Sequence, residues 1–93
     1  MVIMVMVVDF HLGGCRSLKE KRHRMTRIRD RFGKQSNLAV CESDYHDIHH
    51  RAQWSFIGAG VDRKKIQQTL AQIELYLDTA VDARITNIDF QEL

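Results

Sequence analysis

The segment ESDYHDIHHR, residues 42–51, places three histidines and three carboxylates within ten residues. Imidazoles and carboxylates are the donor set of transition-metal sites and of acid–base pairs. His46, His49 and His50, with Glu42, Asp44 and Asp47, are therefore candidates for both. The spacing argues against zinc, because no two ligands stand in a CxxC or HExxH frame. Two other readings are an exposed polar turn and an RNA contact in which the rings stack on bases, with protonation raising affinity below pH about 6.5. Nucleophilic catalysis has thin support. No Ser-His-Asp or Cys-His arrangement announces itself, and Cys15, beside Arg16 near a helix start, is placed for a lowered thiol pKa without thereby being a nucleophile. GAGVDRKK resembles a phosphate loop only weakly, since Asp62 fills the helix N-cap where a phosphate would sit. The balance points to a non-enzyme with no cofactor.

A second constellation is the run SLKEKRHRMTRIRDRFGK. Ser17 to Lys34 holds eight of the fourteen Lys and Arg residues, opposed only by Glu20 and Asp30. From Arg16 to Lys34 the local charge is +7 and the remainder of the chain carries −5, so the net +2 conceals a localised positive field that attracts phosphate. Two carboxylates cannot neutralise nine cations, and like charges three or four residues apart on a helix repel by a few tenths of a kcal/mol per pair, so about that much is lost at each. At about 100° per residue from Leu18, Lys19, Arg24, Arg27 and Arg31 sweep the outer half of a helix, while Arg22 and Arg29 border its apolar stripe. Arginine predominates, and its planar fork suits bidentate phosphate contact. The bland alternative is a solvated face. Lys21 falls in the apolar sector: either its stem lies along the sheet edge while the ammonium reaches water, or it points over the sheet end toward Glu42 or Asp47 and orders the hairpin. Arg63, Lys64 and Lys65 crowd a second helix N-terminus, where cations oppose the macrodipole, and suggest a second phosphate contact with Arg31 and Lys34.

Six elements must position these residues. Residues 2–11 form an apolar, β-rich run that reads as a buried central strand. HLGGCR breaks it, Ser17 opens a helix with Glu20 completing a capping box, and Gly33 closes it. NLAVCES and RAQWSFIGAGV read as strands flanking the polar hairpin. Asp62 caps a helix whose core stripe is Ile66, Leu70, Ile73 and Leu77, and ARITNIDF supplies a last strand. The order βαββαβ predicts an α+β, ferredoxin-like sandwich over 1–93, with an antiparallel sheet in the order 4-1-3-2 and both helices on one face. The loop before the first helix, that helix's N-terminus and the hairpin then share one end. Trp54 and Phe56 are core if they face the helices; Ser55, Ile57 and Ala59 would line an open face suited to homodimerisation. The RNP1 pattern is missing around them.

Ser17-Leu18-Lys19-Glu20-Lys21-Arg22 after a first strand, followed by Glu42, Asp47 and the pair Arg51-Ala52, resembles the YlxP-like family, a bacterial domain of unknown function, over essentially the whole chain. The resemblance implies a ferredoxin-like fold and a gene set among those for translation initiation and ribosome maturation, next to ribosome-binding factor A. It implies no established activity. The chain departs from the family in its histidine-rich YHDIHH.

Ninety-three residues that are 44% apolar and lack proline allow one small core. MVIMVMVV has no basic lead and is too short to cross a bilayer, and the two cysteines make no disulfide framework, so a cytoplasmic protein without a membrane partner is expected. The expected function is binding of structured, ribosomal RNA, with Lys19, Lys21, Arg22, Arg24, Arg27, Arg29 and Arg31 on phosphates and Arg51 with the hairpin adjusting shape recognition. The alternatives are an adaptor docking an acidic protein on the same helix and a metal-dependent enzyme at the His/Asp hairpin.

Overall fold

Valine, isoleucine and methionine crowd the first eight residues, and β-branched side chains fit a pleated surface better than a helix. The computed structural model, which describes residues 1–93, forms strand β1 there, Val2–His11. Met4, Met6, Val8 and Phe10 are buried on one face; Ile3, Val5, Val7, Asp9 and His11 lie half-covered on the other. Helix α1 (Leu18–Phe32), strands β2 (Leu38–Asp44) and β3 (Arg51–Gly60), helix α2 (Arg63–Ala80) and strand β4 (Arg84–Glu92) follow. The sheet order is β2-β3-β1-β4, every neighbouring pair antiparallel, as the βαββαβ order requires.

Register decides which side chains meet. Val8 stands opposite Trp54 and Met6 opposite Phe56, so both aromatic rings of β3 point into the helix-covered face and are core. They pack with Met25, Ile28 and Phe32 of α1 and Ile66, Leu70, Ile73 and Leu77 of α2 in one cluster. Phe32 sits edge-on to Phe56 at 6.2 Å and to Tyr76 at 5.2 Å. Each large apolar side chain so buried contributes about 1.5–3 kcal/mol. A Cβ on Gly58 would lie 2.9 Å from Cγ2 of Ile66, so α2 sits on β3 at a distance that glycine permits.

The helix ends show how the chain is turned. Ser17 Oγ accepts from Glu20 N–H at 3.1 Å, the forward half of a capping box. The return half differs from the expectation: the Glu20 carboxylate accepts from the N–H of Arg16, at 2.9 Å, one residue earlier than the box requires. Asp62 accepts from the N–H groups of Lys64 and Lys65 and caps α2 as expected. Gly33 keeps a right-handed φ of −65°, and the left-handed residue of this connection is Asn37, at 65°. At the opposite end of the sheet, Leu12 N–H donates to His50 O at 2.9 Å, joining the β1–α1 loop to the β2–β3 hairpin beside the N-terminus of α1.

Candidate nucleic-acid interface

Helix α1 exposes its cations unevenly. Lys19, Arg22, Arg27, Arg29 and Arg31 are exposed, and no carboxylate lies within ion-pair distance of any of them. Two are steadied by aromatic rings. The Arg29 guanidinium lies 5.4 Å from the Trp54 ring centroid, and that of Arg31 lies 5.7 Å from both Phe32 and Tyr76.

Lys21 does not belong to this surface. Its side chain is 3% exposed, with Nζ donating to the carbonyls of Tyr45 at 2.6 Å and Ile48 at 2.9 Å and pairing with Glu42 at 3.3 Å. A phosphate cannot reach it. The helical sector that the sequence marks as apolar is closed by this lysine, which reaches over the sheet end and holds the hairpin. Glu42 is thereby the counter-ion of a buried ammonium, and Asp47 stays exposed. Arg24 is also turned inward: at 16% exposure it donates to Gly13 O at 2.9 Å and pairs with Glu20 and Asp82 at 3.4 and 3.5 Å. It clamps the β1–α1 loop to the α2–β4 turn instead of facing a ligand.

Arg51 lies on the opposite face of the sheet from α1, in register with His11. Its guanidinium covers the Tyr45 ring at 4.0 Å and donates to the Tyr45 hydroxyl at 2.9 Å. Tyr45 itself holds a left-handed φ of 61°, with its N–H donating to Asp44 at 2.7 Å. Nothing in the sequence signalled that role, because a left-handed hairpin position normally attracts glycine or asparagine.

His46 stands apart from His11 and His49, which gather around His50. His46 Nε2 sits 3.0 Å from Glu42 O, His49 keeps a buried Nδ1 with no partner, and His50 packs edge-on to His49 and His11 at 5.5 and 6.3 Å between ring centroids. No group of three or more His, Cys, Asp or Glu side chains is placed to hold a metal ion. Cys15 also departs from expectation. Burial, followed by the neighbouring Glu20 carboxylate, pushes its thiol above the ordinary value, outweighing the lowering by its contact with Ser17 O and by Arg24. In return the Cys15 thiol, then the Arg16 N–H and the Arg24 guanidinium, hold the Glu20 carboxyl below the usual carboxylate range. At the other end of the molecule Arg63, exposed at the start of α2, spends its fork on Glu92, at 3.0 Å from its Nε. That leaves Lys64 and Lys65 as the free cations there.

Between α1 and β2 lies a cleft of about 330 Å³ whose polar walls are Arg22, Thr26, Arg29, Glu42, His46 and Trp54. Sequence reading placed Arg22 and Arg29 at this border without foreseeing an opening.

These features define a small α+β domain of ferredoxin-like arrangement, with a cation-rich first helix and a bare sheet face. Within that class the chain belongs to the DUF503 family, described as a protein of unknown function, which it matches over residues 3–90. In structure it is similar to acylphosphatase from Bacillus subtilis, at 15% identity and a TM-score of 0.48 over all of this chain and 86% of the other. It is likewise similar to a de novo designed protein with a ferredoxin fold, at 12% identity and a TM-score of 0.47 over all of this chain and 83% of that one. No curated protein matches it. No helix is long and apolar enough to cross a membrane.

Proposed function

We propose that this protein is an RNA-binding accessory factor of ribosome assembly or translation that grips RNA phosphates through the outward face of α1. The observation that carries the reading is the set Lys19, Arg22, Arg27, Arg29 and Arg31, exposed on one helix with no carboxylate paired to any of them. Their mutual repulsion opposes the helix, at about a few tenths of a kcal/mol per neighbouring pair, and no ion pair within the chain offsets it. A polyanion would. The resemblance to the YlxP-like family, with its genes among those of ribosome maturation, supports ribosomal RNA as the polyanion. Phosphate contacts carry no sequence information, so RNA shape supplies the specificity.

The test is fluorescence anisotropy with a ribosomal RNA fragment and a matched DNA duplex across a salt series. Five cations predict a log–log slope of roughly −3 to −5 for RNA, and replacing Lys19 and Arg27 with Gln shallows it by about 2. RNA binds more tightly than DNA. If neither binds at low salt, the reading fails and the same face is left as a dock for an acidic protein.

A further inference from the structure

The cleft between α1 and β2 contains more chemistry than a phosphate grip needs. Trp54 forms part of its wall, and the indole Nε1–H is fully buried with no acceptor. The Arg29 guanidinium lies over the Trp54 ring, and Arg22 stands two helical turns away on the same border. Opposite them is an acceptor. Glu42 uses Oε2 on Lys21, while its Oε1 has only the His46 ring at 4.0 Å. The cleft thus combines an arginine beside an aromatic ring, a second arginine for phosphate and a carboxylate oxygen with unused capacity.

A base extruded from an RNA strand uses all three at once. Unstacked bases pack on arginine planes and are read through their edges, and a carboxylate reads a base by accepting from an exocyclic amine. The volume falls at the lower end of ligand clefts, about 300–1,000 Å³, which suits one nucleotide. We infer that the α1–β2 cleft takes a single unstacked nucleotide of the bound RNA, with its base over Arg29, its phosphate on Arg22 and its exocyclic amine on Glu42. This rests on the RNA reading above. It adds a base preference: cytosine, adenine and guanine offer the amine, whereas uracil does not.

Trp54 is the only tryptophan, so its fluorescence reports the cleft alone. Titration of the full chain with CMP, UMP and inorganic phosphate at constant ionic strength gives a saturable change with CMP, about tenfold weaker binding of UMP for the one lost hydrogen bond, and no change with phosphate. Thr26→Phe fills the exposed mouth of the cleft; it removes the CMP response and leaves the salt slope of RNA binding in place. RNA binding with the expected slope but no CMP response, or equal responses to CMP and UMP, overturns the nucleotide site while the helix grip stands. A CMP response without RNA binding at low salt overturns the RNA reading, and the extruded nucleotide with it.

Discussion

Lys21 stands at a helical position whose neighbours Met25, Ile28 and Phe32 are all core, yet it is a lysine. A buried ammonium is tolerated only where desolvation is offset, and here two carbonyls and the Glu42 carboxylate do so. Lys21→Met preserves the volume but strands those three acceptors, and it is expected to cost about 3–5 kcal/mol, read as a lowered urea midpoint. Lys19→Gln, two positions away and exposed, stays within about 0.5 kcal/mol. Equal midpoints for the two variants would show that the hairpin holds itself. Periodicity made Lys21 conspicuous and put Glu42 within its reach. It could not supply the carbonyls of Tyr45 and Ile48, because a backbone acceptor has no letter in the sequence. Arg24 was legible only as an outward cation for a related reason: its partners Gly13 and Asp82 are joined to it by tertiary structure. Cys15 misled in the other direction, since the charge of Arg16 is visible in the sequence and the burial that outweighs it is not.

At the scale of elements the reading was close, because strand and helix periods and the Ser17 and Asp62 caps agree with one another, although Gly33 is right-handed and Tyr45, not a glycine, takes the left-handed hairpin position. What it lacked were the spaces between elements. The α1–β2 cleft depends on how far the helix stands from an edge strand, a distance set by packing. The N-terminus of α1 gives the element its own pH dependence. Glu20 has a lowered pKa in the fold, caused first by the Cys15 thiol, then by the Arg16 N–H, then by Arg24. Between the folded and unfolded values the unfolded chain therefore binds more protons, and stability rises with pH through that window. Its contribution is complete above the ordinary carboxylate value of about 4.3 and is lost as pH falls below it. Thermal melts of the wild type and Glu20→Gln should differ most at neutral pH and converge in acid. A gap that persists unchanged into acid would mean that the Glu20 side chain acts through packing and not through its charge.

For the whole molecule, the bare face of the sheet is the feature that the helices leave unused. Its hairpin half is polar: Ser55 donates to Ser43 at 2.8 Å, Ser43 to Gln53 at 2.9 Å and Gln53 to Asp9 at 3.0 Å, a relay across three strands that ends on a carboxylate. The other half is apolar, with Ile3, Val5, Val7, Ile57 and Ala59 half-covered. Four strands spaced about 4.8 Å apart and about 33 Å long present a face on the order of 600 Å² in projection. A standard interface takes about 800 Å² of accessible surface per partner, roughly one-eighth of this chain's 6045 Å². Two copies packed face to face would bury about 1,200 Å² in projection, the lower end of specific interfaces, with the apolar halves excluding water and the polar relays at the rim. Light scattering is expected to give twice the chain mass at micromolar concentration, and Val7→Lys, which sets a charge at the centre of the face, to give the monomer. Such a pairing would leave both α1 helices on the outer sides of the dimer, so that on the proposed reading each would grip phosphate separately. Val7→Lys should therefore keep the RNA salt slope per chain unchanged. A monomeric wild type, or a slope that halves with Val7→Lys, would show that the bare face serves the RNA or the solvent and not a second copy.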